Sequence, residues 1–473
     1  MKALVMGLGL HGGGLESARF LLKKGADVMV TDLRDEITLM PAIEQLDRIC
    51  SELGSKPVRY VLGRHKTEDF KNADIVIKNP GVRQDSPFLE VSKKIETDIS
   101  LFLKYSRARL FAVTGTKGKS STASALHRIL ASERKKGKAF LGGNITVSPL
   151  TFLDELTESD DVVLELSSFQ LGDIKNYTVS DGSKLLKPKA AVLTPVMHDH
   201  LDRYSSMDDY IDDKRNIYRG QDSSCITVAG DDRWGKSFLG ETKGRPLVCS
   251  YARLDKGTGG GWINTDGTGI ARLFADTETV ELVPQRLLTP GKHQRFNMLS
   301  AALAAYGLGA EPVVIRGALA SFTGIEHRLE HFHEADKIHY YNDSAATIPE
   351  AAAACIEALS GNTPLVLVTG GTDKNLDFSP LSKAAGKAKD IILLSGTGSE
   401  KLESLLDENM VSYKGPFNDL EKAVQCAIES AENNMRREGS CNVALSPGCA
   451  SFGMFLNEFD RGRKWKEAVL RNT

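Results

Sequence analysis

Among 473 residues there are seven cysteines and no Cys-x-x-Cys pair. An odd number of scattered thiols gives neither a disulfide framework nor a zinc box, and it points to a reducing, cytosolic compartment. No apolar run reaches the about 18 residues that a membrane-spanning helix needs, so no membrane is expected as a partner. The segment Met1–Leu10 is apolar after one lysine, but it breaks into glycines and runs into the charged Glu16–Lys24 stretch. It reads as a buried strand and not as a signal peptide. An excess of one charge is also missing: 60 basic side chains face 62 acidic ones, for a net charge of −2. That balance speaks against a nucleic-acid or membrane-surface binder. A monomer is the expected state, although no sequence feature fixes it. There is no repeat array, and the only low-complexity patch is Gly257–Gly261.

What is present is ordinary for a globular protein with real cores, 41% hydrophobic and 26% charged residues. At about 150 residues per domain the length predicts three domains, placed at 1–106, 107–324 and 325–473. Each repeats one grammar, in which a short apolar run leads into a Gly or Ser/Thr-rich loop and then a helical pattern. Strands alternating with helices predict an α/β fold of doubly wound, largely parallel sheets. The expected strands are Ala3–Met6, Asp27–Thr31 and Ile75–Ile77, with a further apolar run around Ile95–Leu103. Leu110–Val113, Val162–Leu166 and Ala190–Leu193 follow, and segment 255–285 reads as irregular hairpin structure. The last stretch supplies strands near Ile338–Tyr341, Leu365–Thr369, Ile391–Leu394 and Val443–Leu445. Polar loops then fall at the carboxyl ends of parallel strands, where open α/β sheets bind ligands.

The strongest local motif is Val113-Thr114-Gly115-Thr116-Lys117-Gly118-Lys119-Ser120-Ser121, set between a strand and a helix. Glycines let backbone N–H groups close on phosphate oxygens, and the helix N-terminus adds positive potential. Lys119 is suited to the β/γ-phosphates and the Ser120 hydroxyl to Mg²⁺. Val113 stands where the full Walker pattern has glycine. Glu165 ends an apolar run, a position suited to a hard cation, although an exposed strand-end carboxylate would look the same. His198 and His200 lie beside aspartates at a spacing that fits no common zinc box. Lys214, taken alone, is a solvated helix lysine. At the amino end, Gly7-x-Gly9-x-x-Gly12 with Asp32 twenty residues on meets the dinucleotide fingerprint, which by itself is weak.

Thr114–Ser120 resembles the ATP loop of the Mur ligase family, and the string Glu165-Leu166-Ser167-Ser168-Phe169-Gln170-Leu171 resembles its D-glutamate-adding branch. The resemblance runs in order from Gly7 to Gly462. It implies a UDP-binding Rossmann-like domain, a P-loop ATPase-like central domain and a Rossmann-like carboxy-terminal domain. The implied cofactors are ATP and Mg²⁺ at two sites, with N6-carboxylysine at Lys214 as an added anionic ligand. Gly115, Thr116, Lys117, Gly118, Lys119, Ser120 and Ser121 would hold the nucleotide, with Asn297, Arg328 and Asp343. Ser120, Glu165, His200 and Lys214 would serve the metals, and Lys119, Lys214 and His200 the catalysis. Leu10, His11, Gly12, Asp32, Arg34, Asn79, Gly81 and Asn144 would meet the UDP-linked substrate. Thr347, Lys374, Ser451 and Phe452 would meet the incoming amino acid.

The implied partners are UDP-N-acetylmuramoyl-L-alanine and D-glutamate, joined through an acyl-phosphate. Arg328 sits at a domain boundary, which suits a closing motion. Several positions depart from the family pattern. Lys117 replaces the usual Asn or His, Gln294 an asparagine, and Ala345 a lysine. Gly453 replaces a common aspartate, and Glu458-Phe459 reverses a common pair. Lys117 is a candidate to compensate for Ala345. A sister ligase using another amino acid, a nicotinamide oxidoreductase and a non-catalytic nucleotide switch stay open as alternatives. Cys449 lacks a partner base and is not read as a nucleophile.

Overall fold

The computed structural model describes residues 1–9, 13–133, 137–145, 147–198, 203–273 and 278–473. They form three sheets. The first contains β1 (Lys2–Met6), β2 (Asp27–Asp32), β3 (Arg59–Leu62), β4 (Ile75–Lys78) and β5 (Ile95–Glu96), all parallel in the order 3-2-1-4-5. The reversal of order at β1 and β4 is where such a sheet opens a ligand crevice. The fingerprint glycines Gly7 and Gly9 occupy this point. Gly7 and Gly9 have φ of 91° and 69°, and a Cβ on Gly14 would lie 2.2 Å from the Gly7 carbonyl oxygen. Close helix–strand approach is therefore secured by Gly14, two residues beyond the motif read from the sequence.

The second sheet comprises β6 (Arg109–Thr114), β7 (Ala139–Gly143), β8 (Asp161–Glu165), β9 (Ala190–Leu193), β10 (Ile226–Gly230), β11 (Arg245–Ser250), β12 (Gly260–Ile263), β13 (Gly269–Arg272) and β14 (Val280–Val283). Its order is 14-13-12-11-10-9-6-8-7, parallel except for the meander β12–β14. That meander is the hairpin structure expected for 255–285. Central strands β6, β8 and β9 are buried apolar runs, as a sheet covered on both faces requires.

The third sheet holds β15 (Glu330–Ala335), β16 (Ile338–Asn342), β17 (Leu365–Thr369), β18 (Asp390–Leu394), β19 (Lys414–Phe417) and β20 (Cys441–Leu445). The order is 15-16-20-17-18-19, parallel except for the edge strand β15. The first two sheets belong to one compact unit and the third to another, made of 286–294 and 320–473. One expectation changes. The apolar run around Ile95–Leu103 is a two-residue strand followed by the helix Asp98–Tyr105, because Thr97 and Ser100 form a reciprocal capping box that starts a helix.

Candidate active site

Register alone gathers the central motifs. Val113 on β6 pairs with Glu165 on β8 and with Val192 on β9, so three strand ends meet at the phosphate loop. The loop is held from below. Thr116 N–H donates to the Pro195 carbonyl at 3.0 Å, the Met197 N–H donates to Thr116 Oγ1 at 3.0 Å, and Thr116 Oγ1 lies 2.9 Å from the Tyr210 hydroxyl. Gly115 has φ of 145°, and a Cβ there would come within 1.9 Å of Thr194 Oγ1. Gly118 caps the helix Lys119–Ser132 in the left-handed region, and a Cβ on it would fall 2.4 Å from Asn297 Oδ1. Asn297 is buried, with its side chain against Gly118 of the loop. Lys119 Nζ donates to the Thr116 carbonyl at 2.9 Å, folding its ammonium back over the cradle. Lys117 is exposed and Ser120 and Ser121 are half-buried.

Glu165 is 1% exposed. Its Oε1 accepts from Asn144 Nδ2 at 2.9 Å, while Oε2 has no hydrogen-bond partner among the described residues. A buried, half-satisfied carboxylate beside a phosphate loop is the donor that a hard divalent cation completes. The residues present therefore fit Mg²⁺. Gly143 permits this arrangement, since a Cβ there would meet the Glu165 carbonyl oxygen at 2.2 Å. Lys214 corrects the solvated reading. It is 1% exposed, and its Nζ donates to the Gly115 carbonyl at 2.8 Å and lies 4.3 Å from the centre of the Tyr210 ring. A carbamylated lysine keeps one N–H for that same carbonyl, so carboxylysine also fits. His198 is exposed, and His200 lies outside the described residues.

In the first sheet, Gly7–Gly9, Asp32 and Asn79–Gly81 converge at the strand ends. Asp32 Oδ2 accepts from the N–H groups of Leu8 (2.9 Å) and Gly9 (3.3 Å), and Oδ1 accepts from Arg34 N–H at 3.0 Å. Asp32 thus braces the glycine turn. Asn79 Oδ1 accepts from Gly81 N–H at 3.0 Å, and Arg34 is exposed. Leu10, His11 and Gly12 lie outside the described residues. Sequence reasoning missed the ion pair between Lys78 and Asp173, 2.6 Å apart with both side chains 3% exposed. It lines a cavity of about 340 Å³ with Phe169, Arg203, Tyr204 and Asp213. Arg203 stacks 4.2 Å from the Phe169 ring centre. Burial pushes the Asp173 carboxyl up, against the pull of Lys78. The only signal was a lysine ending an otherwise apolar strand.

The carboxy-terminal motifs form a separate cluster on β16, β17 and β20. Ala450 and Thr372 exchange backbone hydrogen bonds of 2.9 and 3.1 Å, which joins the Lys374 loop to the Ser446–Phe452 loop. Gly448 N–H donates to the Ala346 carbonyl at 2.8 Å, bringing in the Thr347 segment. Lys374 and Phe452 are exposed, Thr347 is half-buried and Ser451 is buried. Arg461 was not foreseen. It is 1% exposed, and it donates to Ser344 Oγ (3.0 Å), the Ser344 carbonyl (2.8 Å) and the Cys449 carbonyl (3.2 Å), fixing two of these loops together. Burial pushes the Cys449 thiol up to about 12, which suits an inert core residue. Arg328 is exposed between His327 and Leu329, both at positive φ.

Asp343 is 7% exposed; Ser446 Oγ donates to its carboxyl at 2.6 Å and Leu329 N–H at 3.0 Å. Burial, the largest influence, raises its carboxyl to about 7. A carboxyl whose folded pKa is raised binds its proton better in the folded state, so its contribution is full below about pH 4 and is lost as pH rises through about 7. Thermal unfolding of the carboxy-terminal unit should therefore move to lower temperature between those limits. In Asp343→Asn that slope should largely disappear; an unchanged slope would rule Asp343 out as its source.

Comparison with known proteins agrees with this geometry. Residues 1–100 match the Mur ligase MurD-like N-terminal domain, 113–305 the Mur ligase middle domain, and 327–436 the Mur ligase glutamate ligase domain. The UDP-N-acetylmuramoylalanine--D-glutamate ligase of Treponema pallidum (strain Nichols) is 38% identical, over 98% of this chain and 96% of its own. The chain belongs to the Mur ligase family. The ligase of the same description from Roseiflexus sp. (strain RS-1) is 36% identical over 99% and 98% of the two chains. Among solved structures, UDP-N-acetylmuramate-alanine ligase MurC from Thermotoga maritima shares the Mur ligase fold at a TM-score of 0.58 and 19% identity, with both chains fully covered. MurF ligase from the same organism, solved in complex with ADP, aligns at 0.52 and 18% identity, covering 84% of this chain and 88% of that one. A Mur ligase assignment leaves the dehydrogenase reading without support, since it gives no task to Thr114–Ser121 or Glu165.

Proposed function

We propose that this chain is an ATP-dependent amide ligase that joins D-glutamate to UDP-N-acetylmuramoyl-L-alanine during assembly of the peptidoglycan precursor, and so serves cell-wall growth and division. The observation that carries the reading is the buried Glu165 carboxylate, one oxygen unpartnered among the described residues, beside the Thr114–Ser121 loop. Relatives of that description at 36–38% identity over nearly the whole chain support the choice of substrates.

In this mechanism the amides of Gly115–Ser121 and the helix N-terminus bind the ATP phosphates, and Lys119 swings from the Thr116 carbonyl to offset their charge. Ser120, Glu165, His200 and carbamylated Lys214 would hold two Mg²⁺ ions, which neutralise phosphate charge when bound. Gly7–Gly12, Asp32, Arg34 and Asn79–Gly81 take the UDP end of the substrate, and Asn144 its sugar and peptide arm. The L-alanine carboxylate oxygen attacks the γ-phosphorus, the bond to the β-phosphate oxygen breaks, and ADP leaves. The D-glutamate amine then attacks the acyl carbon, loses a proton and expels inorganic phosphate. The contribution of the protein is positioning and charge, since neither step needs a covalent enzyme intermediate. Thr347, Lys374, Ser451 and Phe452 receive the amino acid, with the Lys374 ammonium facing its carboxylate.

The test is phosphate release from ATP and UDP-N-acetylmuramoyl-L-alanine against a panel of D- and L-amino acids. Release that requires both the muropeptide and D-glutamate is expected. A preference for another amino acid would reassign the chain to a sister activity, and release that needs neither substrate would overturn the ligase reading.

A further inference from the structure

On the edge of the third sheet, between the assigned positions Arg328 and Asp343 in sequence, the hairpin β15–β16 gathers His331, Glu334 and His339. Three and eight residues separate His331 from its companions, and in a regular strand positions 331 and 334 face opposite sides. A bulge changes that. His331 pairs with Tyr341, His333 with Tyr340 and Glu334 with His339, with the register shift between His331 and His333. The extra residue reverses the alternation, so His331 and Glu334 share one face with His339 and Tyr341. The turn is tight, with Asp336 and Lys337 at φ of 49° and 63° between the paired Ala335 and Ile338, which fixes the register.

One ligand atom from each of the three side chains lies within 4.8 Å of the others, and His339 Nδ1 is 3.2 Å from a Glu334 oxygen. Donor atoms on one tetrahedral zinc lie about 3.4 Å apart, given bonds of about 2.0–2.2 Å. The cross-strand pair already meets that spacing, and rotation of the half-exposed Glu334 closes the rest. A second observation comes from His331 itself. His331 is 7% exposed, and its Nε2 is buried with no hydrogen-bond partner among the described residues. A buried imidazole nitrogen without a partner is costly to keep unless something completes it. Burial, helped by the neighbouring His339, His333 and Arg286, holds the His331 ring towards its neutral form, the form that ligates. Glu334 supplies the negative charge that offsets these neighbours.

We propose that His331, Glu334 and His339 form a binding site for a borderline transition-metal dication, with Zn²⁺ as the natural occupant and water in the fourth position. A two-histidine, one-glutamate donor set suits Zn²⁺ and poorly suits Mg²⁺, which prefers oxygen ligands. This site is distinct from the proposed Mg²⁺ positions at the phosphate loop and does not depend on the ligase reading. By tying β15 to β16, a bound ion would staple the edge of the carboxy-terminal sheet.

The experiment is titration of the full chain with Co²⁺ in excess Mg²⁺, followed by visible d–d absorption, and with Zn²⁺ by calorimetry. The wild type should bind one equivalent with low-coordinate Co²⁺ bands. His339→Ala and Glu334→Gln, both at partly exposed positions and expected to fold, should each weaken binding by at least about tenfold. Phosphate release should be unchanged in both, which also reports that they are folded. Absence of Co²⁺ binding in the wild type, isotherms that superimpose on those of the variants, or thiolate-to-Co²⁺ absorption retained in His339→Ala would overturn the assignment. Should one variant fail to fold, the other gives the same reading.

Discussion

Glutamine in place of Glu165 should lower phosphate-release turnover by about two to three orders of magnitude, the scale of losing one preorganised electrostatic contact at a phosphoryl centre. It should do so without unfolding the protein. Glu165 is 1% exposed at the end of β8, with Oε1 tied to Asn144 and Oε2 unpartnered among the described residues. In the absence of metal that charge is a burden on the fold, because burying a carboxylate with half its lone pairs unmet is unfavourable. A neutral amide of the same shape relieves the burden, so the melting temperature of Glu165→Gln should equal or exceed that of the wild type. The Mg²⁺ concentration needed for half-maximal rate should rise in parallel. Loss of activity together with loss of stability would instead make Glu165 a scaffold residue, and near wild-type turnover would remove it from the site altogether. Opposite signs for activity and stability are what separate the two roles.

The legible parts of this molecule are those in which a short string determines a local shape. Gly-Lys-Ser after a buried strand predicts a glycine turn that opens a helix, and the interiors of β6, β8, β9 and β17 are apolar because both sheet faces are covered. The order of motifs along parallel strands then predicts that their loops share one edge, as Val113, Glu165 and Val192 do. Less legible are features that depend on partners distant in sequence. Lys78 and Asp173 are 95 residues apart, and the apolar strand that ends at Lys78 gives no sign of its partner. Arg461 reaches back 117 residues to Ser344, and a helix arginine in a charged stretch reads as solvated. The hairpin histidines were invisible for another reason: only the bulge between His331 and His333 places them on one face, and bulges leave no reliable trace in alternation. The bracing of the glycine turn by Asp32 was equally hidden, because its contacts are backbone N–H groups that no composition reports.

Lys214→Ala should be the other variant with a loss of about two to three orders of magnitude, and its rescue chemistry discriminates between two states of one residue. The side chain is 1% exposed, donates to the Gly115 carbonyl at 2.8 Å and lies 4.3 Å from the Tyr210 ring centre. As an ammonium it would add a positive charge beside the phosphates. As a carbamate it would present an anion to the metals, a swing of two charges at the same place. Truncation removes either and leaves the Gly115 carbonyl without this donor, a destabilisation of about 1–3 kcal/mol that should appear as a lower melting temperature. Acetate or propionate entering the space left behind should restore part of the activity if the working form is the carbamate, and small alkylamines should restore it if the ammonium does the work. Lys214→Arg sharpens the contrast, since arginine keeps the positive charge but does not form the carbamate. It should be as inactive as the alanine variant in the first case and partly active in the second. Undiminished turnover in Lys214→Ala would dismiss both states and leave the lysine as a support for the loop. The Tyr210 ring centre lies 4.3 Å from Lys214 Nζ, a contact that also suits an ammonium, and the Tyr210 hydroxyl lies 2.9 Å from Thr116 Oγ1. Those contacts fix lysine and phosphate loop together, so either state acts from one fixed position, and the charge of the rescuing molecule reports that of the working form.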